Sequence, residues 1–335
     1  MGAIGLNPIR LDRIGLDPIR INAIKLGVPG AASDRPYIDP EVLASLKAVC
    51  ICYGKSNDDP DRAVVKNLVD PDNPFVISNA AFKLNSGFGK YEVDFNSLDR
   101  TDQSVLTTDY KFIKISKIKQ ESDGNVVYSW GKSLPAIDSV KIRVRGLDEV
   151  GARLTFTYLD DSDQYVRKTY YSDGTYDLPS SSAHEGVFAT NFRFAIFGYK
   201  GDCNITIEQI PSFEGAFVTD GVNDMITSTK TVQEMLGGSN EITVVSLITH
   251  ISGTGKYNII GDGGIQVSDY SGQTFMAGTS SSGEKIVELG DKEKLQAVQY
   301  TTFDSKLTIG LEDSSYAYYG TFVFNKENVP VDFIK

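Results

Sequence analysis

Gly215-Ala216-Phe217-Val218-Thr219-Asp220-Gly221-Val222-Asn223-Asp224-Met225-Ile226 is the stretch on which the fold turns. It reads as two short strands around a turn. Phe217 and Val218 suit a sheet, Asp220-Gly221 is a turn dipeptide in which glycine tolerates positive φ, and Met225-Ile226 resumes an extended apolar run. Asp220, Asn223 and Asp224 most simply shape turns. An opening strand for the same sheet lies far upstream, at Leu46 to Tyr53, followed by the polar run Gly54 to Asp59 and then by Val64 to Phe82.

The same residues resemble the F-D-G-V-D-D-Y-I signature of laminin-G-like, concanavalin A-like lectin and glucanase sandwiches, with departures at Thr219, Asn223 and Met225. In that family the signature follows its opening strand after a short loop, whereas here a long β-rich block intervenes. The chain therefore resembles a laminin-G-like antiparallel β-sandwich (jelly roll) interrupted by a second, inserted β-sandwich. With its repeated N-terminal segment it also resembles virion structural proteins of tailed phages and prophages of gut Bacteroides-type bacteria, of the head-fibre and tail-fibre-like kind. The division expected is an anchor arm over 1–30, a short helix and the first part of the sandwich over 31–89, the insert over 90–211, and the second part of the sandwich over 212–335.

The composition agrees with an all-β fold. A chain of 335 residues suits about two domains, and 17 Tyr, 17 Phe and 31 Gly favour strands and turns over helices. The formal net charge of −11 argues against nucleic acid as a partner, because phosphate contacts need clustered Lys and Arg. No apolar run approaches the roughly 20 residues of a membrane span. No signal peptide opens the chain, so assembly in the cytoplasm of a host bacterium is expected. Met1-Gly2 lacks the Ser or Thr at position six that myristoylation needs, since Leu6 stands there.

The N-terminus is a pentad repeat over residues 4–28, with apolar residues at the first and third pentad positions: Ile4, Leu6, Ile9, Leu11, Ile14, Leu16, Ile19, Ile21, Ile24 and Leu26. A period of five fits neither a helix nor a strand, and Pro8 and Pro18 interrupt both. About 25 residues cannot bury such a stripe alone. It reads as an anchor ordered by packing on identical chains or on another virion protein; the alternative is an arm folded on its own domain. The phage resemblance implies a homotrimer.

Val28 to Ser33 is a linker by composition, and Asp39 caps a short helix over 40–47. The segment from Asn57 to Pro74 is rich in aspartate. Its hard oxygen ligands would suit calcium, but the spacing is not that of an EF-hand loop, and solvated turns are the plainer reading; no cofactor is expected. Cys50 and Cys52 alternate onto one strand face, as buried thiols would, and with Cys203 they make no zinc spacing.

Within the insert, Tyr110 to Lys119, Val140 to Arg145, Leu154 to Tyr158, Tyr165 to Tyr171, Phe188 to Tyr199 and Cys203 to Ile210 read as antiparallel strands. Trp130, Tyr158, Tyr165, Tyr170 and Tyr171 are candidates to stack on sugars, although aromatics in strands more often pack in the core. Further strands are expected between Ile242 and Phe324, followed by a short helix over 326–335. No Glu-x-Asp-x-Glu run, nucleophile elbow or phosphate loop is present, so a non-enzyme is expected. The expected role is a virion structural protein, a head fibre or decoration; the alternative is a tail-fibre-like receptor-binding protein that recognises host polysaccharide.

Overall fold

The computed structural model describes residues 39–326, apart from 98, 101–103, 120–127, 130–132, 135, 183, 186–191, 240–241, 254–255, 261–264, 271–272, 281–282, 290–295, 300–305 and 310–313. The pentad stripe from Ile4 to Leu26, the Val28 to Ser33 linker and Trp130 lie outside the described residues. So does the helix expected over 326–335, beyond Lys326.

The chain is mostly antiparallel β-sheet with few helices. It begins with α1 (Pro40–Ser45), where Asp39 accepts the Glu41 N–H at 2.8 Å and Pro40 takes the first helical position. The strand follows at once, so the helix is two residues shorter than the sequence suggests. There follow β1 (Leu46–Ile51), β2 (Val64–Val65), β3 (Phe75–Ser78) and β4 (Gly87–Lys90).

Next come β5 (Asp99–Arg100), β6 (Val105–Asp109), β7 (Phe112–Ile118), β8 (Tyr128–Ser129), β9 (Ser133–Leu134), β10 (Val140–Arg145) and α2 (Leu147–Val150). The Asp173 carboxylate holds the start of α2, accepting the N–H groups of Gly146, Leu147 and Asp148. The block continues with β11 (Arg153–Leu159), β12 (Tyr165–Tyr170), β13 (Gly174–Leu178), β14 (His184–Glu185), β15 (Phe192–Phe197) and β16 (Gly201–Ile210).

Last are β17 (Ser212–Val218), β18 (Met225–Thr231), α3 (Val232–Leu236), β19 (Thr243–Gly253), β20 (Lys256–Ile260), β21 (Ile265–Tyr270), β22 (Gln273–Ser280), β23 (Gly283–Leu289), β24 (Gln296–Gln299), β25 (Lys306–Ile309) and β26 (Ser314–Phe324). A reciprocal capping box between Thr231 and Glu234 starts α3.

One apolar core draws on both ends of the described chain. Ala48, Cys50 and Cys52 from the start pack with Phe75, Ile77 and Phe88, and with Phe217, Ile226, Val244, Ile248, Tyr316, Tyr318 and Val323. These side chains come from a six-stranded sheet built on β26 and from an eight-stranded sheet running β2-β3-β18-β25-β20-β21-β22-β23. Strand β26 is the spine of the first sheet. It pairs with β19 along one edge, and along the other with β1 and β17, end to end. Opposite β19 the register shifts, so that Leu247 faces Gly320 and Ile248 faces Tyr318. This bulge at Tyr319 lets Tyr316 and Tyr318, then Thr321 and Val323, turn towards one core despite the change of parity.

A second core gathers side chains between Val93 and Ile207, among them Phe95, Ile113, Ile142, Leu154, Phe156, Phe194 and Ile205. Its sheets run β13-β10-β16-β7-β6 and β12-β11-β15-β8-β5. The chain enters and leaves this block side by side, with Lys90 opposite Ser212. Buried Gln209 fastens the crossing: its Oε1 accepts the N–H groups of Glu92 and Val93, and its Nε2 donates to the Val93 carbonyl at 2.7 Å. Asn57 and Asp58 of the first block reach Tyr110 and Lys111 of the second.

The turn at 219–224 is tied down by Asp224, only 1 % exposed. Its carboxylate accepts the Asp220 N–H at 3.0 Å and the Ser86 hydroxyl at 3.1 Å, while the Asn79 amide donates to the Asn223 carbonyl. Burial raises the Asp224 carboxyl above its ordinary range. The folded chain therefore holds this proton more tightly than the unfolded chain, so this group's contribution falls as pH rises from about 4 through its folded pKa. Asp224→Asn, which keeps an acceptor for Asp220 and an amide for the Ser86 oxygen, should remove that slope. Asp224→Ala should lose about 1–3 kcal/mol. Urea midpoints between pH 4 and 7 check both; an unchanged slope in Asp224→Asn would exclude this residue as its source.

Candidate functional site

Strands β11, β12 and β15 form the free-edge half of one second-core sheet, and their register sorts every side chain to a face. Leu154, Phe156 and Tyr158 stand opposite Tyr170, Lys168 and Val166 on one side, and opposite Ile196, Phe194 and Phe192 on the other. Leu154, Phe156, Phe194 and Ile196 lie in the core, so the even-numbered positions point inward.

This parity separates the candidate aromatics. Tyr158 and Tyr170 are inward-facing and pack against the second core, Tyr158 stacked on Phe156 and Tyr170 against Tyr176 with ring centroids 4.2 Å apart. Tyr165 opens edge strand β12 with the outward parity and Tyr171 directly follows its last residue; they are 56 % and 70 % exposed. About six residues at 3.3 Å each place them roughly 20 Å apart along the strand.

Three arginines share the outward face, and the sequence reading did not single them out. Arg167 and Arg193 both stand directly opposite Thr157, forming one row across the three strands. Arg153 stands opposite Phe197, with its guanidinium 5.5 Å from the ring centroid. The outward positions of these strands carry no carboxylate, and among the described residues no ion pair reaches Arg153, Arg167 or Arg193. Burial, and secondarily the charge of Arg167, hold the Arg193 guanidinium below its ordinary pKa. In the next row the Thr155 and Thr169 hydroxyls lie 3.4 Å apart and bond each other, with Thr155 buried. The signal for this face was an arginine at odd positions of each strand, legible only once the pairing is known.

The other candidates are held by their own chain. Cys50 and Cys52 are fully buried free thiols, and burial pushes Cys50 up to about 12 and Cys52 well above its usual value. Both therefore stay protonated at neutral pH. In the aspartate-rich segment, Asp58 pairs with Lys111, Asp61 with Lys55 and Asp70 with Lys230, while Asp59 accepts from the Ser56 N–H and hydroxyl. No cluster of three His, Cys, Asp or Glu side chains converges for a metal ion among the described residues. Among the described residues no helix is long and apolar enough to cross a membrane. Neither a protein-family model nor a curated protein matches the chain.

Proposed function

We propose that this chain is a structural protein of a phage particle, a head fibre or decoration. In this reading it is held by its apolar pentads as a trimer and adheres to bacterial surface polysaccharide through the outward face of β11, β12 and β15. The laminin-G-like reading of the first sandwich, with a second sandwich inserted, is part of the same proposal, and the protein does no chemistry. The observation that carries adhesion is the exposure of Tyr165 and Tyr171 at the two ends of β12, beside Thr157, Thr169 and arginines with no ion pair among the described residues. Flat aromatic rings with polar neighbours suit the mixed apolar and hydroxylated surface of a sugar.

The test is retention of the purified protein on intact host cells, compared with a Tyr165→Ala/Tyr171→Ala variant. We expect at least a tenfold loss of apparent affinity with an unchanged melting temperature, since exposed rings contribute little to the core. Equal retention of the two proteins would overturn the adhesive reading, and a lowered melting temperature would return these rings to a structural role.

A further inference from the structure

We propose that the ligand of this face is an acidic polysaccharide, whose carboxylates are taken by Arg167, Arg193 and Arg153. This rests on the adhesive reading of the same strands and adds to it the charge of the sugar.

The chain carries 44 acidic against 33 basic residues, so three arginines and no acid at the outward positions of β11, β12 and β15 run against its composition; the acid that shares their row is Asp99, two strands beyond Arg193 across Ser129. The two guanidinium-bearing positions opposite Thr157 lie about 10 Å apart, two strand spacings of roughly 4.8 Å. That matches the repeat of carboxylates on alternate sugars of an extended polymer. Like charges in one row repel when the face is empty, and a carboxylate bound at each guanidinium removes the repulsion while adding a charge-assisted hydrogen bond. Arg153 is pre-positioned by the Phe197 ring on the same face, so little side-chain freedom is lost when it binds.

The neighbouring elements set the direction of the polymer. The turn between β11 and β12 carries Asp160, Asp161 and Asp163 beside Tyr165; the Asp160 carboxylate is occupied by the N–H groups of Ser162 and Gln164. A polyanion is repelled from that end and directed towards Arg153 and Tyr171. The net charge of −11 adds a general repulsion of a polyanion by the molecule, against which this face stands out. Nucleic acid fits less well: a duplex needs many cations along its length, and this face offers three.

The experiment uses the full chain with immobilised polygalacturonate and the same polymer after reduction of its carboxyl groups. We expect binding at least tenfold tighter to the acidic form, weakening as sodium chloride is raised from 50 to 300 mM. Arg167→Gln/Arg193→Gln should lose at least tenfold on the acidic polymer, approach wild type on the reduced one, and melt at the wild-type temperature. Equal binding to both polymers by wild type and arginine variant would overturn the acidic assignment while leaving adhesion standing. So would retention on host cells without binding to either polymer, or duplex DNA competing as well as polygalacturonate. Salt-sensitive self-association in light scattering, lost in the arginine variant, would make a second copy of this chain the partner and overturn the proposal. No retention on cells and no binding to either polymer would remove the adhesive reading as well.

Discussion

Gly320→Val should abolish the first core while the second core still melts cooperatively. Gly320 lies where β26 is flanked on both sides, opposite Ile51 of β1 and Leu247 of β19. A Cβ placed there would come within 2.6 Å of the Cys50 carbonyl oxygen, a backbone atom fixed in the ladder. No rotamer relieves that contact, so β1 must leave the sheet and take Ala48, Cys50 and Cys52 out of the core. Overpacking a well-filled interior costs about 1–3 kcal/mol. Loss of a central pairing adds to this, against a total stability of about 5–15 kcal/mol for a domain. Calorimetry should then show one transition fewer than wild type, and both buried thiols should react with a disulfide reagent within minutes. Wild-type melting with protected thiols would mean that β1 does not pair where Gly320 places it.

If the proposed pentad anchor holds the protein as a trimer in a phage particle, a chain starting at Ala31 should be monomeric and should no longer enter particles. The deleted pentads hold an unbroken row of Ile and Leu from Ile4 to Leu26, each contributing about 1.5–3 kcal/mol if fully buried. Three arms closing around an axis would bury the row without leaving an edge, with Arg10, Arg13 and Arg20 outward. The residues described in the two cores run from Ala48 onward, so the melting temperatures should not change. Multi-angle light scattering and particle incorporation give the readouts; equal mass and normal incorporation would rule the anchor out.

Much of the strand content was legible because alternation is local. Val140 to Arg145 reads and folds as a half-buried strand, and the Asp220-Gly221 turn separates β17 from β18 where the dipeptide suggests. Asp39 caps its helix as the sequence implies. Other features depend on pairing that no local window contains. The bulge at Tyr319 appears in the sequence only as a run of aromatics. The arginine face arises from three strands whose register is set elsewhere. Helix α3 could have been found from Thr231-Val232-Gln233-Glu234, a capping-box pattern, but the β-rich surroundings concealed it. Asp224 read as a turn residue and is one, yet its burial against Ser86 depends on a segment more than a hundred residues away.

The central place of β26 also fixes an order of events during synthesis. Every strand of the second core has been made once β16 ends at residue 210, whereas the spine of the first sheet is complete only at residue 324. At ribosomal speeds of about 5–20 residues per second, that leaves roughly 6 to 23 seconds in which the second core is complete and β1 still lacks β26. During that interval Cys50 and Cys52, inert in the finished protein, are two accessible thiols on an unpaired strand. The nascent chain is then open to oxidation and to sheet-edge association until the spine arrives.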